Sequence, residues 1–399
     1  MNQPIKKKIK EAHPEVAEQP FYTLIVDGNN LLEVAFHGDS KVNPDGLHVG
    51  GMFQFLLQLK IMLKKKDFQF CYVMWDGDKS GQLRYQYYED YKANRDKKYE
   101  FHDGAKSEYD RNIDNFVKRT LAYSQQKRNS RLTPEQIADK EQERESFRRQ
   151  RNCVMKYLEE LFIRQVIDEE TEGDDLIGYY VTHKKPNEKI VIVSGDRDLT
   201  QLISESVIVY VPVLNKFVTV DNHVEIMGYR HENVLLKKMI TGDSSDNIKG
   251  IKGVGDKTFF DLFPEVKSRE TSLEEIIDHA RLINEERAKE KKKPLKSCEN
   301  IINRVTDGCQ GENIFEVNKK IINLKSPLLT DEAINEMESI MYAPIDPDGR
   351  SFENLYELLK NDKIYDLIDG ERFGNFFLDF KRLVEKEKKY FEKYSKIGG

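Results

Sequence analysis

A chain of 399 residues is long enough for a sizeable core and for two or three domains. Its 64 Lys and Arg against 70 Asp and Glu leave a net charge of −6, so the placement of the charges matters more than their sum. No run of about 18 apolar residues exists, which excludes a membrane-spanning helix. Four scattered cysteines (Cys71, Cys153, Cys298, Cys309) with no CxxC pair argue against a zinc site or disulfide framework and for a reducing cytoplasm.

Residues 1–20 are polar, with Lys6, Lys7, Lys8 and Lys10, and read as a flexible tail without the apolar stretch of a signal peptide. The apolar run Phe21–Val26 reads as a buried parallel strand that ends in Asp27-Gly28-Asn29-Asn30. A helical pattern over Gly50–Lys65 leads to a second run, Phe68–Trp75, which ends in Asp76-Gly77-Asp78. From Gln82 to Arg151 the chain is polar, helical in pattern and rich in Lys and Arg, too long for a plain connection. It reads as an arch or a solvated insertion. Helical patterns follow over Asn152–Gln165 and Asp174–Thr182, the latter with Glu172, Asp174 and Asp175 at its first turn.

A third run, Lys189–Ser194, ends in Gly195-Asp196-Arg197-Asp198, and a further strand over Val207–Val213 has no acidic ending. Strands alternating with helices predict an α/β fold with a mainly parallel central sheet flanked by helices. Beyond Glu232 the pattern is mostly helical, and the highly charged stretch Glu285–Lys296 reads as an exposed loop. The domains so outlined are 21–240, containing the arch at about 82–151, and a helical region over 241–399.

Ligands of open α/β sheets bind beyond the carboxyl ends of the strands. Asp27, Asp76, Asp196 and Asp198 all belong at such ends, and Glu172, Asp174 and Asp175 open a helix nearby. The loop Thr241-Gly242-Asp243-Ser244-Ser245-Asp246-Asn247 adds two more carboxylates. So much negative charge converging calls for cations. Oxygen ligands with no His or Cys beside them suit Mg²⁺ or Mn²⁺ rather than Zn²⁺. Two such ions can activate water and stabilise the leaving oxygen of a phosphodiester. Singly, each feature has an ordinary reading: Asp-Gly after a strand is a common turn, and acids at a helix start serve its dipole. Their recurrence at one sheet edge is what points to a site.

Directly after the acidic loop comes Gly250-Ile251-Lys252-Gly253-Val254-Gly255-Asp256-Lys257-Thr258. A GxGxK pattern between helical segments suits a helix–hairpin–helix turn. There glycine backbone N–H groups approach a phosphate and Lys257 helps to neutralise it. A Walker A loop fits poorly, because the spacing differs and no strand precedes it.

The ordered set VDGNN, WDG, YKANR, EGDD, SGDRD, GDSSDNI and GIKGVGDKT, spanning Tyr22 to Phe263, resembles the 5′-nuclease family of 5′–3′ exonucleases and flap endonucleases. Lys79-Ser80-Gly81, the Tyr-rich stretch before Lys92 and the helical C-terminal extension look most like the ribonucleases H of T-even-type bacteriophages. The resemblance implies a PIN-like core and a first metal site built by Asp27, Asp76, Glu172, Asp174 and Asp175. It implies that Asp196, Asp198, Asp243 and Asp246 build or orient the second, with Asp174 and Asp196 essential to catalysis. It also implies that Lys92 and Arg95 contact the scissile phosphate and that the arch receives the 5′ end. Tyr91-Lys92-Ala93-Asn94-Arg95 offers a stacking ring, a point charge and a bidentate phosphate donor.

The expected substrates are branched, nicked or 5′-ended DNA and RNA–DNA duplexes, cut during primer or flap removal. Gly250, Gly253, Gly255 and Lys257 would hold duplex, with room for K⁺ at the hairpin. The expected protein is a monomer with no membrane partner, in the cytoplasm (the host's, if phage-encoded). The aromatic stretch Arg372–Phe380 suggests a contact for a single-strand-binding protein or sliding clamp, although core packing of the last helix is its ordinary reading. Two other classes fit parts of the pattern: a catalytically silent DNA-junction binder and a PIN-type ribonuclease acting on single-stranded RNA. The first would be expected to have lost several of the carboxylates, and the second needs neither hairpin nor arch.

Overall fold

The computed structural model of the chain describes residues 19–92, 134–305, 314–368 and 373–395. The first apolar run forms β1 (Phe21–Asp27), followed by α1 (Gly28–Gly38), α2 (Gly50–Lys65) and β2 (Phe68–Trp75). Helix α3 (Pro134–Glu160) leads to β3 (Arg164–Ile167), α4 (Gly173–His183), β4 (Glu188–Val193), β5 (Val207–Val211) and β6 (Lys216–Val218). The six strands lie in the order β3-β2-β1-β4-β5-β6; neighbours from β3 to β5 are parallel, and β6 closes one edge antiparallel to β5.

The fold is therefore α/β with a mainly parallel sheet. The chain winds outward from β1 through β2 to β3, then returns to set β4 on the other side of β1. The switch point thus lies between β1 and β4, and Asp27, Asp76 and Asp196 stand at the carboxyl ends beside it.

Alternation along the strands explains why the runs are apolar throughout. Leu24, Val26, Val73, Trp75, Val191 and Val193 face one core, while Ile25, Tyr72, Met74, Ile190 and Ile192 face another. The second core is covered by α4. Past β6 come α5 (Val234–Thr241), a short ladder of β7 (Gly242–Asp243) and β8 (Ile248–Lys249), and α6 (Asp256–Leu262). With α7 (Leu273–Lys289), α8 (Lys296–Ile302) and the start of α9 (Ile314–Ile322) they enclose a third core around Ile240, Phe259, Phe263, Ile276 and Ile301. Helix α10 (Asp331–Ile340) returns to the second core, and α11 (Phe352–Asn361) and α12 (Leu378–Ser395) to the first. Phe376, Phe377 and Phe380 are buried there, as the ordinary reading of that aromatic stretch has it. No helix among the described residues is long and apolar enough to cross a membrane.

Beyond shifts of one or two residues at element ends, three element boundaries differ from the sequence expectation. The helix expected over Asn152–Gln165 stops at Glu160, because Phe162 turns into the left-handed region (φ 58) and Arg164–Ile167 joins the sheet instead. The same helix begins earlier, at Pro134, through a charged stretch that a solvated helix tolerates. The expected loop Glu285–Lys296 starts as helix: Glu, Ala and Lys are strong helix formers, and α7 runs to Lys289 before Lys291 (φ 55) ends it. Of the arch, residues 93–133 lie outside the described residues.

Candidate functional site

At the carboxyl end of β1, Asp27 caps α1, its Oδ1 accepting the Asn30 backbone N–H at 3.0 Å and its Oδ2 the Ser194 hydroxyl at 2.8 Å. It is 7% exposed. Burial first, then the charge of Asp76 and more weakly that of Asp196, push its carboxyl up to about 7 against those two hydrogen bonds. Asp76, after β2, accepts the Gly173 N–H at 2.8 Å and the Asn29 amide at 3.0 Å. This ties the end of β2 to the start of both α1 and α4. Asp196 follows β4 in a tight turn: its N–H donates to Ser194 Oγ at 2.9 Å, and its Oδ1 accepts the Asp198 N–H at 2.8 Å.

Asp174, in the first turn of α4, faces this group. Its carboxyl is raised well above the usual range by burial, then by the charges of Asp196, Asp27, Asp76 and Glu172. Four carboxylates from four separate elements thus feel one another at a single edge.

The remaining predicted residues are held on either side. Glu172 is the N-cap residue of α4; it accepts the Tyr91 hydroxyl at 2.9 Å and Lys92 Nζ at 2.6 Å. Lys92 itself sits in the left-handed region (φ 49), with its N–H on the Asp246 carbonyl at 2.7 Å. Asp175 does not join the edge. It points inward, taking both Arg84 Nη groups at 2.5 and 3.2 Å and the Leu328 N–H at 3.0 Å.

On the other flank, Lys238 of α5 bridges Asp198 and Asp243, with Nζ 2.6 Å from Asp243 Oδ2. Burial and Asp196 push Asp198 up to about 7 despite this ammonium. Asp243 is held at about 2, because Lys238 and the Ser245 hydrogen bonds outweigh its burial. Asp246 stays with the loop that touches Lys92, and Arg95 lies outside the described residues.

Arg84, Lys238, Asn29, Asn30 and Ser194 were not singled out from the sequence. Asn29, Asn30 and Ser194 lie inside the VDGNN and SGDRD segments without a role given to them, and Lys238 shows only as half of a Lys237-Lys238 pair inside an otherwise apolar helix just ahead of the acidic loop.

The glycine segment turns between α5 and α6. Gly242 (φ 73) and Gly250 pack backbone to backbone: a Cβ at Gly250 would meet the Thr241 carbonyl carbon at 2.2 Å. Gly253 (φ 75) and Gly255 face open space, Gly255 directly precedes α6, and Lys257 is exposed in its first turn. Two of the glycines therefore close the turn, and two leave bare backbone on the surface.

The donor set suits a hard divalent cation. It is all oxygen, its charges are mutually unfavourable, and Asn29 Oδ1 is buried beside Asp76 with no hydrogen-bond partner. As the side chains stand, no three acidic, imidazole or thiol groups among the described residues converge tightly enough to enclose one ion. Several of the carboxylate oxygens are instead turned toward the N–H, hydroxyl and ammonium partners above.

The family model described as "5′-3′ exonuclease, N-terminal resolvase-like domain" matches residues 22–235, more than half of the chain. DNA polymerase I of Bacillus subtilis (strain 168) is 26% identical over 259 residues, covering 63% of this chain but 24% of that protein. A 5′-3′ exonuclease of Mycoplasmopsis pulmonis is 36% identical over 108 residues, 27% of this chain and 35% of the relative. The chain thus spans about a quarter to a third of the length of these relatives. Among solved structures, the bacteriophage T5 flap endonuclease in a pseudo-enzyme–product complex with DNA and metal ions superposes with a TM-score of 0.53. It is 17% identical, covering 91% of this chain and 99% of that one, a likeness of fold.

Proposed function

The chain belongs to the 5′–3′ exonuclease family and is a nuclease, and from that premise we propose that it hydrolyses phosphodiester bonds near a 5′ end in DNA or RNA–DNA duplexes, using divalent metal ions, and removes primers or flaps during replication or repair. The observation that carries this reading is the edge formed by Asp27, Asp76, Asp174 and Asp196, carboxylates from four separate elements brought together at the carboxyl ends of the strands, where the charges of the others raise Asp27 and Asp174. Mg²⁺ ions there, or Mn²⁺ in their place, would offset that charge and polarise the phosphodiester.

The chain's own residues position the rest. Asn30 and Ser194 orient Asp27, and Gly173 and Asn29 orient Asp76. Lys92, buried against Tyr91 and Glu172, together with Arg95, is assigned to the scissile phosphate; Asp175 holds Arg84 rather than an ion. Gly253, Gly255 and Lys257 present exposed backbone and a cation to duplex phosphates, as a helix–hairpin–helix would, with K⁺ as the ion such a turn accommodates.

Labelled 5′-flap, nicked, blunt and RNA-primed duplexes and single-stranded RNA, incubated with Mg²⁺ or EDTA, test the reading. Metal-dependent cutting of the flap, nicked or RNA-primed strand from its 5′ side is expected. Asp174→Ala and Asp196→Ala should abolish cutting while duplex binding survives. Full activity in both variants would sink the site, and cutting of single-stranded RNA alone would reassign the substrate.

A further inference from the structure

We infer that Lys238 is a built-in cation seated on the Asp198/Asp243 pair, so that this edge binds one divalent ion readily and a second only by displacing the lysine. The inference rests on the metal reading above and concerns how many ions the protein holds without nucleic acid.

Lys238 lies on α5, with its side chain 15% exposed, and its ammonium is hydrogen-bonded to one oxygen of each aspartate. Asp243 Oδ1 is further engaged by the Ser245 N–H at 2.8 Å and the Ser245 hydroxyl at 2.5 Å. The pair is thus already neutralised in part and hydrogen-bonded on both sides. A dication approaching the same oxygens would meet the ammonium at close range, where repulsion between like charges is strongly screened only in bulk water.

The central group differs. The carboxylates of Asp27, Asp76 and Asp196 take their hydrogen bonds from neutral donors, namely backbone N–H groups, Ser194 and Asn29; the Arg151 guanidinium meets Asp76 at its backbone carbonyl, 2.6 Å away, and not at its carboxylate. Among the described residues no ammonium or guanidinium forms an ion pair with the carboxylates of these three or of Asp174. An ion entering there displaces nothing charged. Removing Lys238 therefore acts selectively: it frees the flanking pair and leaves the centre as it is.

Counting Mn²⁺ on the full chain without nucleic acid, by the electron paramagnetic resonance signal of the free ion, reads this directly. The unaltered protein should take up one ion and then a second about tenfold or more weakly. Lys238→Met should tighten the weaker ion by about tenfold or more, with the tighter one within about threefold of its original affinity. Lys238→Arg keeps the cation and should keep the second ion weak; circular dichroism checks that each variant is folded.

Two ions of equal affinity in the unaltered protein would overturn the inference without recourse to a variant. So would a folded Lys238→Met protein whose second ion binds no tighter. No saturable Mn²⁺ binding at all would remove the metal reading itself, and the inference with it.

Discussion

Arg84 is 4% exposed and Asp175 1% exposed, and the two are joined by both Nη groups although they stand 91 positions apart. Arg84 Nε also donates to the Ile321 carbonyl at 2.8 Å, and Nη1 lies 3.4 Å from Glu172. This guanidinium therefore fixes the start of α4, from which both Glu172 and Asp174 project. Arg84→Met would strand a buried carboxylate, a change that costs about 3–5 kcal/mol in comparable pairs. The double variant Arg84→Met/Asp175→Leu removes both charges and should recover much of that loss. Urea unfolding of the two variants checks it, and an equal loss in both would show that shape, not charge, is what the pair supplies. The pairing itself is not visible in the sequence. Asp175 reads there as an acid at a helix start that the family resemblance makes a ligand of the first metal, and Arg84 as one cation in a polar stretch. Asp27, Asp76 and Asp196 are legible because each ends an apolar run; the pairings of Arg84 and Lys238 depend on which distant elements meet, and residue pattern carries no sign of that.

Among elements, strands and their acidic endings follow from local pattern, because burial on both faces demands continuous apolar runs. Helix ends are less legible. Phe162 and Lys291 end helices by entering the left-handed region, a conformation for which neither residue type gives warning. The α5–α6 turn separates structure from function within one motif. Gly250→Ala forces a Cβ against backbone at 2.2 Å and has no flexible side chain to push aside, so it should cost about 1–3 kcal/mol. Gly255 has an ordinary φ of −89° and open space, so Gly255→Ala should leave stability within about 0.5 kcal/mol of the original. If the exposed backbone meets duplex phosphates, Gly255→Ala nonetheless weakens duplex binding measured by fluorescence anisotropy. Unchanged binding would remove the turn from the nucleic-acid surface.

At the scale of the whole molecule, a net charge of −6 conceals an edge at which Asp27, Asp174 and Asp198 resist ionisation. Asp27 and Asp198, ordinarily at 3.8, are pushed up to about 7 in the folded chain, by burial first and by neighbouring charge next. Between those values the folded state holds more protons than the unfolded one. Their contribution to stability is therefore full below about pH 4 and lost as pH rises through about 7. His223 and His231 pull the other way: burial lowers both, so what they contribute is full above their ordinary value and is lost as pH falls below it toward their lowered values. The raw melting curve mixes these terms, and the increment produced by a divalent ion separates them. An ion at the edge binds the ionised carboxylates, whereas the charges that act on both histidines are those of Glu232 and Arg230. The rise in Tm on adding Mg²⁺ in place of EDTA should be small at pH 5 and grow steadily to pH 8. Asp27→Asn should flatten that growth. An increment that is the same at both ends of the range would mean that the stabilising ion does not reside on these carboxylates.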